Sequence, residues 1–330
     1  ALAIVHDGAS GATQEELTNL LVNGCTPSDV TNYYSSLTKS LLSTAETGVA
    51  FKTANRFYID DSISLKHDYQ KHVEDEYHVS VKNLNMKNTV AATHEINDFV
   101  DGATNGKIKD MIKELRGGVQ YTIQATLVNA IHFLGKWKYP FEQPRTYRGT
   151  FKGYDGDSQV DFMPQTFYSF RADLNNDIGT VLILPYKNED YTFFFVMPNE
   201  SSNHEKMRNE LTGTKLVNML RNAKDQRLRI RVPKFKIDSH MNDAVETLSE
   251  LGVKTLFGSK ANLSKISAQP FGVSQILHNA IIEVDEEGTE AAAATDMLMC
   301  GSSQYVPPEV KIDRPFLFGI LRNDDILIIG

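Results

Sequence analysis

The sequence predicts an α+β fold in which mixed, largely antiparallel sheets are covered by helices. Two observations carry that expectation. Helical periods cluster early in the chain, and the later strand-like runs mostly follow one another without helices between them. A doubly wound sheet would need strands and helices in alternation.

Taken in order, Ala1-Leu2-Ala3-Ile4-Val5 begins as an apolar helix interior with no start signal. Thr13 to Asn23 reads as a helix, with Thr13 as its cap and Glu15 and Glu16 in a negatively charged first turn. Asp29 to Leu42 and Thr93 to Thr104 also carry helical spacing. Strands are expected at Thr53 to Ile59, Gln120 to Phe133, Thr180 to Pro185, Thr192 to Met197, Arg227 to Phe235 and Phe316 to Ile320. Arg227-Leu228-Arg229-Ile230-Arg231 would then place three cations on one strand face. A polyanion could bind there, but a solvated outer face is the stronger reading because the net charge is −8.

Composition narrows the class. With 330 residues, 41% hydrophobic and 23% charged, the chain can bury a sizeable core. No linker, low-complexity block or repeat divides it, so one domain over 1–330 is expected. The acidic balance argues against nucleic acid as a partner, and no apolar run approaches the ~20 residues of a membrane helix. Cys25 in a turn and Cys300 make neither a disulfide framework nor a metal site, and two free thiols are expected. Enzyme motifs fail. There is no Gly-x-Ser-x-Gly, no Cys-x-x-Cys and no Gly-x-Gly-x-x-Gly; His94-Glu95 and His204-Glu205 lack a second histidine. Gly102-Ala103-Thr104-Asn105-Gly106-Lys107 is one residue short of a phosphate loop. No enzyme, cofactor or metal is therefore expected. Asn199-Glu200-Ser201 and Asn262-Leu263-Ser264 are glycosylation sequons, making Asn199 and Asn262 candidate modification sites.

The most informative stretch is Glu286-Glu287-Gly288-Thr289-Glu290-Ala291-Ala292-Ala293-Ala294-Thr295. If it is extended, Thr289, Ala291, Ala293 and Thr295 share one small, nearly apolar face, while Glu290, Ala292, Ala294 and Asp296 share the other. Such a segment could slide between two existing strands. An alanine-rich helix is the competing reading, Ala being the best helix former. The residues after Asp296 decide against the helix: Met297 to Tyr305 has no amphipathic period, and Pro307-Pro308 stops a helix. Glu309 to Ile320 then reads as an alternating and afterwards fully apolar strand.

A hinge, a loop and a strand in that order resemble the serpins. Val310 to Ile320 fits the family's C-terminal signature, including Asp313, Arg314, Pro315 and Phe316. Asn129-Ala130-Ile131-His132-Phe133-Leu134-Gly135-Lys136-Trp137 resembles the family's central-sheet strand, with the only tryptophan where the family places one at the top of that sheet. Leu277-His278-Asn279-Ala280, Val232-Pro233-Lys234-Phe235-Lys236-Ile237, Leu251-Gly252-Val253, Ala261-Asn262-Leu263-Ser264 and Thr104-Asn105-Gly106-Lys107-Ile108 match further family segments in the expected order.

The resemblance implies three β-sheets, a surrounding cluster of helices and a reactive loop presented at one pole. It also implies an opening helix before Ala1 and a strand end after Gly330, so that the single domain here lacks both. By residue type His278 is more often a core histidine than a catalyst; the resemblance makes it the hydrogen-bond partner of Asn129, a latch on the sheet. The implied activity is that of a suicide substrate. A serine protease attacks the loop, forms an acyl-enzyme and is trapped when the cleaved loop inserts into the central sheet. In the family the scissile residue lies roughly fourteen positions beyond the hinge glycine, which gives Ser302-Ser303; counting back from Pro307-Pro308 gives Gln304-Tyr305. Between Gly288 and Pro308 there is no Lys or Arg, so a chymotrypsin-like or elastase-like target is expected over a trypsin-like one. A monomer, secreted rather than cytoplasmic, is the expected form. Non-inhibitory carriers or chaperones of the family and inhibitors of cysteine proteases remain as alternatives.

Overall fold

Side-chain caps mark the starts of two of the helices. A computed structural model describes residues 1–42, 48–115, 123–166, 168–200, 204–241, 244–288 and 306–330. Its helices are α1 (Leu2–Gly8), α2 (Gly11–Leu21), α3 (Pro27–Leu42), α4 (His67–Tyr77), α5 (Thr89–Ala103), α6 (His204–Glu210), α7 (Gly213–Asn222) and α8 (Val245–Glu250). At the start of α5 the Asn88 side chain accepts from the Ala91 amide, and at the start of α7 Thr212 accepts from Lys215. α5 ends where Asn105 and Gly106 turn to positive φ.

Thr13 does not cap α2. Ser10 precedes that helix, and Thr13 lies within it, 1% exposed, its hydroxyl accepting from the Asn262 amide and from Thr255. Glu16 accepts from the Lys254 and Thr255 amides at 2.8 Å each. The side chains expected to stabilise α2 from within are engaged by a segment more than two hundred residues away.

The strands are β1 (Val49–Asp60), β2 (Ser80–Leu84), β3 (Ala125–Gly135), β4 (Tyr147–Lys152), β5 (Asp157–Gln165), β6 (Ser169–Asp173), β7 (Thr180–Pro185), β8 (Tyr191–Met197), β9 (Lys224–Arg227), β10 (Arg229–Pro233), β11 (Phe235–Met241), β12 (Gln275–Val284), β13 (Glu309–Lys311), β14 (Leu317–Arg322) and β15 (Asp325–Ile329). They form three sheets, ordered β11-β12-β3-β1-β2, β13-β10-β5-β4 and β15-β14-β8-β7-β6-β9. Parallel pairing joins β1 to β2, β3 to β12 and β10 to β13. Antiparallel pairing joins β4 to β5, β5 to β10, and the successive members of the six-stranded sheet. The α+β architecture with three sheets is as expected.

Two runs expected as single strands are broken. Arg227 to Phe235 contains β9, β10 and the start of β11, each in a different sheet. Leu228 is fully buried between the first two, and Pro233 has no amide to continue a ladder. Arg227 pairs with Ser169, whereas Arg229 and Arg231 pair with Glu309 and Lys311, so the three cations do not share a strand face. Glu309 to Ile320 likewise divides into β13 and β14 on either side of Asp313-Arg314-Pro315.

Two compact units emerge. One comprises Ala1–Ala45, Phe51–Phe133 and Ile237–Ile281, with a core that includes Ile4, Leu17, Phe57 and Ile276 and a second in which Val128, Ala130, Leu277 and Ile281 meet Ile96 and Val100 of α5. The other comprises Glu46–Ala50, Leu134–Lys236 and Ile282–Gly330. Its core joins Leu216, Met219 and Leu220 of α7 to Val181, Ile183 and Phe194, and the rings of Phe193, Phe195, Phe235, Phe316 and Phe318 meet in tilted and edge-on contacts.

Candidate functional site

The residues from Asp285 to Gly288, just past the end of β12, are held from several directions. Asp285 turns the chain: its carboxylate accepts from the Glu287 and Gly288 amides at 3.0 and 3.2 Å, and its own amide donates to the Gly288 carbonyl at 3.0 Å. The backbone carbonyls of Glu286 and Glu287 accept from Phe141 and Trp137 at 2.7 and 3.0 Å. Gly288 forms an antiparallel bridge with Lys136 at φ +147°, where an added Cβ would stand 2.0 Å from the Gly135 carbonyl oxygen. Only glycine fits that approach.

Glu286 is the electrostatic centre of this turn. At 6% exposure, its carboxylate accepts from the Thr146 hydroxyl and from Lys234 Nζ, each at 2.7 Å. Burial pushes the carboxyl up, and the Lys234 and Thr146 hydrogen bonds outweigh it, leaving Glu286 below the ordinary carboxylate range. The same contact raises Lys234. Trp137 braces the turn from the side. Its indole N–H donates to the Asp285 carbonyl at 2.9 Å, and its ring stacks on buried Tyr186 at 4.6 Å.

Further down β12, His278 stands opposite Asn129 in the parallel register with β3. His278 Nδ1 lies 2.5 Å from Asn129 Oδ1, so the ring donates, and Asn129 Nδ2 donates in turn to Asn55 Oδ1. Burial lowers the His278 pKa, which favours the neutral ring. A polar chain thus crosses from β12 through β3 to β1.

Other expected residues stand apart from these. Asn199 is exposed, but its amide donates to the Asn176 carbonyl at 2.9 Å and its oxygen accepts from Thr180 at 3.2 Å. Asn262 is exposed, its oxygen accepting from the Ser264 amide at 3.3 Å. Cys25 is exposed with a free thiol. Thr289, Glu290, Ala291, Ala292, Ala293, Ala294, Thr295, Cys300, Ser302 and Ser303 lie outside the described residues. Arg231 is engaged by Tyr147 at 2.9 Å and Glu309 at 2.8 Å. No group of three or more metal-ligating side chains occurs among the described residues, and no helix among them is long and apolar enough to cross a membrane. Lys234, Thr146 and Asn55 were not singled out from sequence as partners of Glu286 and Asn129; no local spacing relates residues 52, 140 or 74 positions apart.

The model of the family described as Serpin (serine protease inhibitor) matches residues 1–330. Serine protease inhibitor 42Dd of Drosophila melanogaster is 33% identical over 335 residues, covering 100% of this chain and 87% of that protein. Iripin-1 of Ixodes ricinus is 29% identical over 342 residues, covering 100% and 85%. Among solved structures, human thyroxine-binding globulin superposes with a TM-score of 0.88 at 25% identity, and Serpin48 of Tenebrio molitor with 0.86 at 26%; each comparison covers 100% of this chain and 87% of the other. The three-sheet architecture and these whole-length similarities agree: the chain belongs to the serpin family.

Proposed function

We propose that the protein inhibits a serine protease as a suicide substrate, by inserting its cleaved loop between β3 and β12. The observation that carries this reading is the antiparallel bridge of Gly288 to Lys136 beside a parallel β3–β12 pair. A strand entering there would run antiparallel to both neighbours, replacing one parallel ladder by two antiparallel ones. Continuing the bridge register down β3 sets Thr289 opposite Gly135, Ala291 opposite Phe133, Ala293 opposite Ile131 and Thr295 opposite Asn129. The small residues of the sequence alternation would therefore share the face that carries Asn129 and His278. Parting of the strands requires the His278–Asn129 bond to break, which makes that pair the latch.

Thyroxine-binding globulin shares the architecture, so the architecture alone does not separate carrier from inhibitor. The hinge of Gly288, Thr289, Glu290 and four alanines favours inhibition, because bulky, charged or proline residues on the inward face of Thr289, Ala291 and Ala293 would obstruct insertion, and Glu290 falls on the other face. The absence of Lys and Arg between Gly288 and Pro308 favours a chymotrypsin-like or elastase-like target, cleaving at Ser302-Ser303 or within two residues of it. The protein is read as a secreted monomer. Neither compact unit is one continuous run of chain, which supports reading 1–330 as one domain.

Incubation with elastase, chymotrypsin and trypsin tests the reading. An SDS-stable complex with one of the first two, and cleavage or inertness with trypsin, is expected. Mass spectrometry of the released fragment places the bond. Cleaved protein should melt well above intact protein; equal melting temperatures would remove the insertion mechanism.

A further inference from the structure

We propose that Asn279 and His240 pin the edge strand β11 to β12, so that the two strands travel together when β12 parts from β3; this rests on the inhibitory reading above. β11 is the outermost strand of the five-stranded sheet, and from Lys236 to Met241 every residue is exposed. Apolar burial therefore contributes little to its attachment, which depends on the ladder and on side-chain ties.

The tie at residues 240 and 279 is built for one tautomer. His240 Nε2 stands 2.9 Å from the Asp238 carboxylate and donates to it. Nδ1 is then left to accept, and Asn279 Nδ2 donates to it at 3.0 Å. Asn279 is 1% exposed, and its Oδ1 is buried with no partner among the described residues. Placing an amide there carries a desolvation cost that the contact with His240 offsets. Alternation puts Asn279 on the face of Leu277 and Ile281, while its neighbour His278 faces the other way toward Asn129.

Side-chain bonds thus hold β12 on both flanks. The His278–Asn129 bond toward β3 must break for insertion. The Asn279–His240 bond toward β11 must survive it, since a β12 that lost its outer neighbour at the same moment would leave backbone groups unpaired on two sides. Asn279 and His240 are positioning residues for the insertion step.

The test compares parent, Asn279→Ala, His240→Ala and His240→Gln in two measurements: amide exchange over residues 237–241, and moles of inhibitor consumed per mole of elastase or chymotrypsin trapped. His240 is exposed, so its substitution leaves the core intact should Asn279→Ala fail to fold. Both alanine variants should speed exchange about fivefold, the factor of one net hydrogen bond, and consume more inhibitor per protease trapped. His240→Gln should restore both, because Oε1 can accept from Asn279. Unchanged exchange, faster exchange with unchanged consumption, or a His240→Gln as impaired as His240→Ala would each overturn the proposal. A parent that traps no protease removes the inhibitory reading instead, and the exchange comparison then still decides whether the pin exists.

Discussion

Removing the Glu286 carboxylate should release the turn at the top of β12. Glu286→Ala deletes two hydrogen bonds of 2.7 Å to a buried carboxylate, from Thr146 and Lys234. Bonds to charged groups contribute about 1.5–3 kcal/mol each. The Lys234 side chain is 40% exposed, so its bond is discounted to about 1 kcal/mol, the upper end for solvent-exposed pairs. The sum is about 2.5–4 kcal/mol against opening of the turn, which at its lower end is a roughly seventyfold rise in the open population. The only tryptophan reports this directly, because Trp137 donates to the Asp285 carbonyl and stacks on Tyr186. A shift in its emission and faster spontaneous conversion on mild heating are expected at pH 7. The folded pKa of Glu286 is depressed, so its contribution is fully present above the unfolded value of about 4.3 and is lost as pH falls through the folded value. The gap between parent and variant should therefore narrow as pH falls below about 4.3 and close once the folded carboxyl is protonated. Equal conversion rates at pH 7, or a gap that persists undiminished at acid pH, would refute the reasoning.

Gly288→Ala should disturb the same turn by a steric route, since its Cβ would overlap the Gly135 carbonyl; thermal melting should drop, and an unchanged melt would show that the bridge to Lys136 is not tight. His278→Ala leaves Asn129 without its donor, at a cost of about 1–3 kcal/mol. More latent or polymeric material should then form on warming, and identical rates in parent and variant would reduce His278 to a filler of space. Thr289→Arg would bury a guanidinium against β3 on insertion, at a cost of several kcal/mol. Loop cleavage should persist while the SDS-stable complex disappears, whereas unchanged trapping would mean that Thr289 faces solvent.

Periodicity made several elements legible in the chain itself. β7 occupies Thr180–Pro185 as the apolar run required, and β8 and α3 extend the expected segments by only one or two residues. The alternation from Thr289 to Thr295, read as a hinge, and the lone tryptophan, read as the top of the central-sheet strand, are visible in the chain for the same reason: composition and period are local properties, written in consecutive residues. Pairing across the fold is not local. That Lys234 and Thr146 meet at Glu286, that Asn55 extends the His278–Asn129 chain, and that Glu16 serves the amides of Lys254 and Thr255 depend on which strands and helices become neighbours. The basic run at residues 227–231 shows the same limit from the other side. Its alternation suggests one strand, yet the fully buried Leu228 and the amide-less Pro233 distribute its cations over two sheets, because burial and ladder pairing are decided only once the partners are in place.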